Sequence, residues 1–293
     1  MKQRLLVTGA GGLLGGRLAT LLAGSHEVVA AWRASPPPAG LSRVAVDILS
    51  RPSLEAFLET ARPDVVVHAA ALADADRCER EPALAERTNV GATEDLARLC
   101  RARGIRLVVL STDMVLAGDR AWAAEDEPAR PLGVYGKTKL LAEEAALAEA
   151  PGSAVVRVAL VHGRGHGGRA TASEGIVWAL REERPLRLFT DQYRTPVDPE
   201  SVADAILRIV DRGATGRFHV GGPERLSRHG LGLRVCAARG LAPAIEGIPQ
   251  AAGGLFAPRP LDASMDTSRA ARELGWRPRP LDDGIRDGRP GPG

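Results

Sequence analysis

The feature that most constrains the fold is a glycine turn set between an apolar run and a helical pattern. "RLLVTGAGGLLG" places Gly9, Gly12 and Gly15 three apart, directly after the predicted strand "RLLVT" and at the opening of the helix "LLGGRLATLLAG". Small residues there let the backbone approach a phosphate group. The start of the helix adds free N–H groups and the positive end of its dipole. Leu14 sits where the last glycine of the usual G-x-G-x-x-G would fall, so the spacing is the wider G-x-x-G-x-x-G form. In this setting the stretch reads as a dinucleotide phosphate site contacted by Gly9, Gly12, Leu13, Leu14 and Gly15. The alternative is an ordinary turn in a glycine-rich chain.

The alternation continues downstream. "EVVAAW", "RVAVD", "DVVVHAA", "RLVVLS" and "SAVVRVALV" read as strands two to six, with helical patterns in the longer gaps. Such alternation predicts a doubly wound α/β fold with a parallel sheet of the Rossmann type. One long helix is expected over residues 81–104, closed by Gly104, and another over "GVYGKTKLLAEEAALAEA". Past Val161 the pattern loosens into a Gly-rich loop, "HGRGHGGRATASEG", and shorter elements. The expected organisation is a nucleotide-binding domain over 1–160 and a smaller substrate lobe over 161–286. A segment near 190–212 is expected to return to the first domain, and 287–293 to be a disordered tail.

Strand two decides between dinucleotides. Readers of NAD place an acidic residue at its end for the ribose 2′-OH. Here it ends "AAWRASPPP", with Arg33 and no carboxylate. A guanidinium suits the 2′-phosphate of NADP through a bidentate, charge-assisted contact, so NADPH is preferred and NADH is the alternative. Arg33 could equally be a solvated surface arginine. Asp47 and Ile48, after strand three, are placed near the adenine edge, unless Asp47 simply caps the next helix.

Composition excludes several other classes. The net charge is only +3 and the basic residues are scattered, which argues against a nucleic-acid partner. Cys78, Cys100 and Cys236 are too few and too far apart for a disulfide framework or a zinc knuckle, so a reducing cytoplasm is expected. The chain opens on a strand without the pattern of a signal peptide, and no apolar run is long enough to span a membrane. His162 and His166 lack a carboxylate or cysteine to complete a metal set, so no metal is expected.

Only three of the 39 basic residues are lysines and only two residues are tyrosines, yet "VYGKTK" holds Tyr135, Lys137 and Lys139. Four apart on a helix, Tyr135 and Lys139 share a face. A free phenol titrates near about 10. An ammonium about 4–5 Å away, at an effective dielectric near 20, would stabilise the phenolate by roughly 4 kcal/mol. That is about three pKa units, enough for general acid work. Open α/β sheets bind ligands at the carboxyl ends of their strands, and at the end of strand five "VVLSTDM" supplies Ser111 and Thr112. A hydroxyl there could bond a substrate oxygen beside Tyr135.

With "LLVTGAGGLLG", "RPDVVVHAAALADADRCEREP", "TNVGAT", "LSTDMVLAG", "VYGKTKLLAEE", "FTDQYRTPVD", "FHVGGPERLS" and "RPLDASMDTSRA" taken together, the chain resembles the extended short-chain dehydrogenase/reductases. More narrowly, it is similar to the dTDP-4-dehydrorhamnose reductase group, which includes the regulatory beta subunit of methionine adenosyltransferase. The resemblance implies a Thr–Tyr–Lys triad at Thr112, Tyr135 and Lys139, with the tyrosine giving a proton to a sugar C4 oxygen and the lysine holding the nicotinamide ribose. It also implies that Asn89 buttresses the site, that Ala69, Ala70 and Ala71 let the cofactor lie against strand four, and that Arg259 meets the distal part of the substrate. Sugar-reducing members have an aromatic at Met114 and often a tryptophan at Leu160; here those substrate positions, beside Asp113, are aliphatic or thioether.

The leading reading is therefore an NADPH-dependent reductase of a ketone, with a nucleotide-activated 4-dehydro-6-deoxysugar as first-choice substrate. A non-catalytic NADP-binding regulatory subunit is the alternative from another class. A sugar-nucleotide epimerase, or a dehydratase, is a third; the glutamate that dehydratases carry after "STD" is Met114 here. The resemblance also implies a homodimer paired through the helix of "VYGKTK" and the long helix before strand five.

Overall fold

The structure is a computed structural model and describes residues 2–291. Its centre is a seven-stranded sheet, every pair parallel. The strands are β1 (Arg4–Thr8), β2 (Glu27–Trp32), β3 (Ser42–Ala45), β4 (Val65–His68), β5 (Arg106–Thr112), β6 (Ala154–Val158) and β9 (Gly216–Val220). They lie in the order β3-β2-β1-β4-β5-β6-β9. The order reverses between β1 and β4, which opens a crevice at the carboxyl ends of those two strands.

The strands are apolar almost throughout because both faces are covered. Leu5, Val7, Val65, Val67, Val108 and Leu110 point into one core, with α1 (Leu13–Leu22) and α8 (Pro199–Arg212) packed on them. Their neighbours Leu6, Val66, Leu107 and Val109 point the other way. They meet α2 (Arg51–Ala61), α5 (Ala92–Arg103) and α6 (Val134–Glu149). Period-two alternation thus fills two cores from one run of sequence.

The long helix expected over 81–104 is interrupted. After α3 (Ala75–Arg80) come α4 (Pro82–Glu86), a π-type turn over Arg87–Gly91, and then α5. The wider turn carries buried Asn89; such π turns inside helices are frequent at functional sites. Gly104, at φ +66°, ends α5 in the left-handed conformation.

The C-terminal half contributes more to the large sheet than the 190–212 segment: β9 pairs with β6 in parallel, and α10 (Ser268–Leu274) packs behind it. A small lobe has its own core of Ile176, Trp178, Leu188, Val235 and Ile285. It comprises α7 (Ala172–Arg181), β7 (Arg187–Phe189), β8 (Tyr193–Arg194), β10 (Leu226–Ser227), α9 (Arg228–Arg239), β11 (Glu246–Ile248) and α11 (Leu281–Asp287). The tail expected at 287–293 is corrected in part. Asp287 still belongs to α11, and Arg289 bonds Glu174 through its backbone N–H at 3.0 Å and its Nε at 2.7 Å. Residues 292–293 lie outside the described residues. Among those described, no helix is long and apolar enough to cross a membrane.

Candidate functional site

A cavity of about 850 Å³ opens at the reversal of strand order. Gly9, Gly12 and Leu13 line its floor, and Ala69, Ala70 and Ala71 line one wall. Gly9 has φ +68°, and a Cβ on it would come 2.7 Å from the Ala70 nitrogen, so only glycine fits. Gly12 stands at the N-cap of α1 with no side-chain bond, and no acidic residue occupies the first turn. The N–H groups there are left for an outside acceptor.

Leu14 and Gly15 do not line the cavity. Leu14 packs into the core, and a Cβ on Gly15 would come 2.3 Å from the Gly9 carbonyl. Gly15 thus closes the helix onto the turn. Two neighbouring glycines escaped the sequence reading. A Cβ on Gly11 would lie 1.9 Å from the Ser35 carbonyl, and one on Gly16 would lie 2.2 Å from the ring of His166.

The second rim follows β2. Arg33 lines the cavity, is 63% exposed at its side chain, and pairs with Asp47 at 3.3 Å. Ile48 lines the cavity whereas Asp47 does not. Asp47 accepts from the Leu49 N–H, and Ser50, not Asp47, caps α2.

Outside the residues that line this cavity, β5 ends at Thr112 and α6 begins at Val134, so Thr112, Tyr135 and Lys139 do not line it. Two features fix their approach. Val134 N–H donates to Glu79, and a Cβ on Gly136 would lie 2.3 Å from the Met114 carbonyl. The Thr112 hydroxyl donates to the Asp113 carboxylate at 3.3 Å and accepts from the Met114 N–H at 3.2 Å. Contrary to what the spacing to Lys139 implied, the phenol does not titrate low. Burial pushes the Tyr135 hydroxyl above its ordinary range, the nearby Thr112 hydroxyl opposes this, and the Asp113 charge adds to the rise. Lys139 itself is buried, which brings its ammonium down to about 8 against the opposing pull of Glu143.

Ser111 is a second correction. Adjacent strand residues face opposite sides, and its hydroxyl donates to Glu143 behind the sheet, away from Tyr135. Asn89 accepts from the Leu72 N–H at 2.8 Å and donates to Thr138 at 3.0 Å. Both ends of its amide are spent on protein, so it braces α6 and does not line the cavity. His68, unremarked in the sequence, sits beneath: its Nδ1 meets the Thr8 hydroxyl at 2.8 Å. Burial, and then the charge of Lys139, bring it down to about 3, so it is neutral.

On the lobe side, arginines gather. Asp113 is buried, with Arg194 at 3.4 Å. Burial pushes its carboxyl up while Arg194 and Arg228 hold it down. Burial brings Arg228 to about 10, with further lowering from Arg194 and Arg259. Arg194 also reaches Met114 Sδ at 3.7 Å. Arg259 spans from the lobe to Asp76 on α3, at 3.0 Å. Leu160 packs with the lobe core. Neither Arg194 nor Arg228 stood out in the sequence, because the chain's arginine bias hides a cluster assembled from distant segments.

Comparison with known proteins fits this geometry. The chain is 36% identical over 221 residues to a dTDP-4-keto-6-deoxy-D-glucose reductase of Streptomyces niveus, covering 75% of this chain and 73% of that one. A solved structure of a hypothetical dTDP-4-dehydrorhamnose reductase from Sulfolobus tokodaii superimposes with a TM-score of 0.86 at 30% identity, covering 98% and 99% of the two chains. MoeE5, solved with UDP-glucuronic acid and NAD, superimposes at 0.82 with 28% identity and 97% coverage of each chain. The model of the RmlD substrate binding domain family matches residues 3–287. The chain belongs to that family, the dTDP-4-dehydrorhamnose reductase-like group of extended short-chain dehydrogenase/reductases.

Proposed function

We propose that this protein uses NADPH to reduce a ketone to an alcohol, the ketone being the 4-keto group of a nucleotide-activated 4-dehydro-6-deoxysugar. The broader class, a nicotinamide-dinucleotide oxidoreductase acting on nucleotide sugars, rests on family membership and on relatives such as the Streptomyces reductase and MoeE5. The observation that carries the finer reading is one continuous chain of contacts. Thr112 bonds Asp113 at 3.3 Å, Asp113 pairs with Arg194 at 3.4 Å, and Gly136, next to Tyr135, packs on the Met114 carbonyl.

The residues present fit a dinucleotide. Gly9 and Gly15 exclude side chains from the turn, the N-terminal N–H groups of α1 are uncapped, and the cavity has the volume of a cofactor site. Gly12 and Leu13 would hold its pyrophosphate, Arg33 its 2′-phosphate, and Lys139 its nicotinamide ribose. When bound, NADPH supplies the hydride.

The rest of the chemistry belongs to the chain. Tyr135 holds its proton at neutral pH because its hydroxyl is desolvated. Its O–H bond breaks as that proton passes to the oxygen of the former carbonyl, and the Lys139 ammonium stabilises the phenolate left behind. Thr112 orients the same oxygen. Arg194, Arg228 and Arg259 suit a diphosphate, which would take over from Asp113 and Asp76 as their partner. Met114 and Leu160 give the deoxysugar no flat aromatic face, so it would pack on aliphatic and thioether atoms instead.

The test is loss of reduced-nicotinamide absorbance on a panel of 4-keto sugar nucleotides. Turnover on one member is expected. Tight NADPH binding with no turnover on any ketone would replace this reading with a regulatory one. Self-association through α5 and α6, where Leu141 is 46% exposed, belongs to the same proposal. Sedimentation at micromolar concentration is expected to give a dimer; a clean monomer would remove it.

A further inference from the structure

The Gly-rich loop after β6 crosses the mouth of the dinucleotide cavity. His166 N–H donates to the Leu13 carbonyl at 2.9 Å on the glycine turn, and its Nε2 meets the Pro36 carbonyl at 3.3 Å on the far rim. Its ring lies on Gly16, where any side chain would displace it. One residue thus ties the loop to both banks of the cavity. His166, Gly167, Gly168 and Arg169 all line it.

The loop is fastened from below by a single buried carboxylate. Glu174 forms a capping box with Thr171 at the start of α7 and accepts from the Gly165 and Thr171 N–H groups. Its remaining capacity is filled by Arg289, whose guanidinium also donates to the carbonyls of Gly167 at 2.5 Å and Arg169 at 2.9 Å. Burial would raise the Glu174 carboxyl, but Arg289 and the N–H donors hold it below its usual range. The two carbonyls beside the cavity are therefore turned away from it toward Arg289. That leaves an edge of the loop lined by the Arg169 side chain, which is exposed and has no carboxylate partner among the described residues.

We propose that residues 163–171 form a strap across the phosphate side of the cavity, that Arg169 supplies a cation to the dinucleotide pyrophosphate opposite Gly12 and Leu13, and that Arg289 is the positioning residue that holds the strap in register. This rests on the reading that the cavity takes a nicotinamide dinucleotide. It adds a ligand to the turn and the α1 N-terminus, which offer only backbone N–H groups to the same phosphates.

The experiment is calorimetric titration of the full chain with NADPH and with NADH, comparing wild type, Arg169→Ala, Arg289→Ala and Arg289→Lys. Both cofactors carry the pyrophosphate, and only NADPH carries the 2′-phosphate. Arg169→Ala is expected to weaken both by about the same factor, on the order of 10-fold, the size of one charge-assisted contact. Arg289→Ala is expected to weaken both as well and to raise hydrogen exchange over residues 163–171, with Arg289→Lys restoring little because one ammonium does not reproduce the guanidinium fork. Unchanged affinity in Arg169→Ala overturns the proposal, and so does a loss confined to NADPH, which would move Arg169 to the 2′-phosphate. Arg169 is exposed, so its variant tests the point even if the Arg289 variants fold poorly. If wild-type protein binds neither cofactor, the reading of the cavity itself has failed.

Discussion

Glu143 and Arg157 form an ion pair at 2.8 Å with side chains 0% and 2% exposed, one turn along α6 from Lys139. Arg157 donates from both Nε and Nη2, while Arg217 and Ser111 fill the remaining sites on the carboxylate. The cluster locks the middle of α6 to β5, β6 and β9, and so fixes the helix that carries Tyr135 and Lys139.

Removing that carboxylate leaves two guanidinium groups without their counter-charge. Glu143→Ala is expected to destabilise the protein by roughly 3–5 kcal/mol, the usual cost of breaking one side of a buried pair. Denaturant midpoints measure it. Burial raises the Glu143 carboxyl, but the bonds from Arg157 outweigh this and hold it below its ordinary value. Its contribution is then full above the ordinary carboxylate range and is lost as pH falls through the lowered folded value. The variant should accordingly lose less stability on acidification than wild type does.

Tyr135→Phe removes the proton donor and keeps the ring. Turnover should fall by about 10²–10⁴-fold, the usual span for a general acid, while NADPH affinity stays near wild type. A variant with near-normal turnover would remove Tyr135 from the chemistry.

Lys139 titrates at about 8 because burial penalises its charge. Below that pH the ammonium is present to support a developing phenolate; above it, turnover should decline. The sign for stability is opposite. The unfolded chain binds this proton more tightly between about 8 and the ordinary lysine value, so Lys139's charge costs stability at neutral pH and the cost fades as pH rises through that window. Lys139→Met should therefore abolish turnover while raising the thermal midpoint at pH 7.

Arg33→Ala should weaken NADPH by on the order of 10-fold or more and leave NADH nearly unchanged, because only the former offers a 2′-phosphate. Asp47→Asn should do the reverse for NADPH and tighten it, since Arg33 would be released from its present partner. Equal losses for both cofactors in the Arg33 variant would refute the assignment.

Most of the doubly wound framework was legible because parallel strands buried on both faces are written as unbroken apolar runs. The glycine turn was legible because left-handed backbone at Gly9 has almost one chemical solution. Local spacing also put Tyr135 and Lys139 on one helix face. Spacing misled about their electrostatics. It implied a phenol lowered by a neighbouring ammonium, whereas burial raises the phenol and lowers the amine. That burial is set by how α6 seats on β5, through contacts such as Gly136 on the Met114 carbonyl.

The sequence by itself determined the strands of the large sheet, the phosphate turn and the helix that carries the acid, since each follows from a backbone preference or a periodicity within a few residues. Tertiary structure alone decided that Ser111 faces Glu143, that Arg194 pairs with Asp113, and that Arg289 reaches back 115 positions to Glu174. Those partners are chosen by desolvation. A buried charge is tolerated only where a distant segment brings its complement, and no local pattern in the chain records which segment that will be.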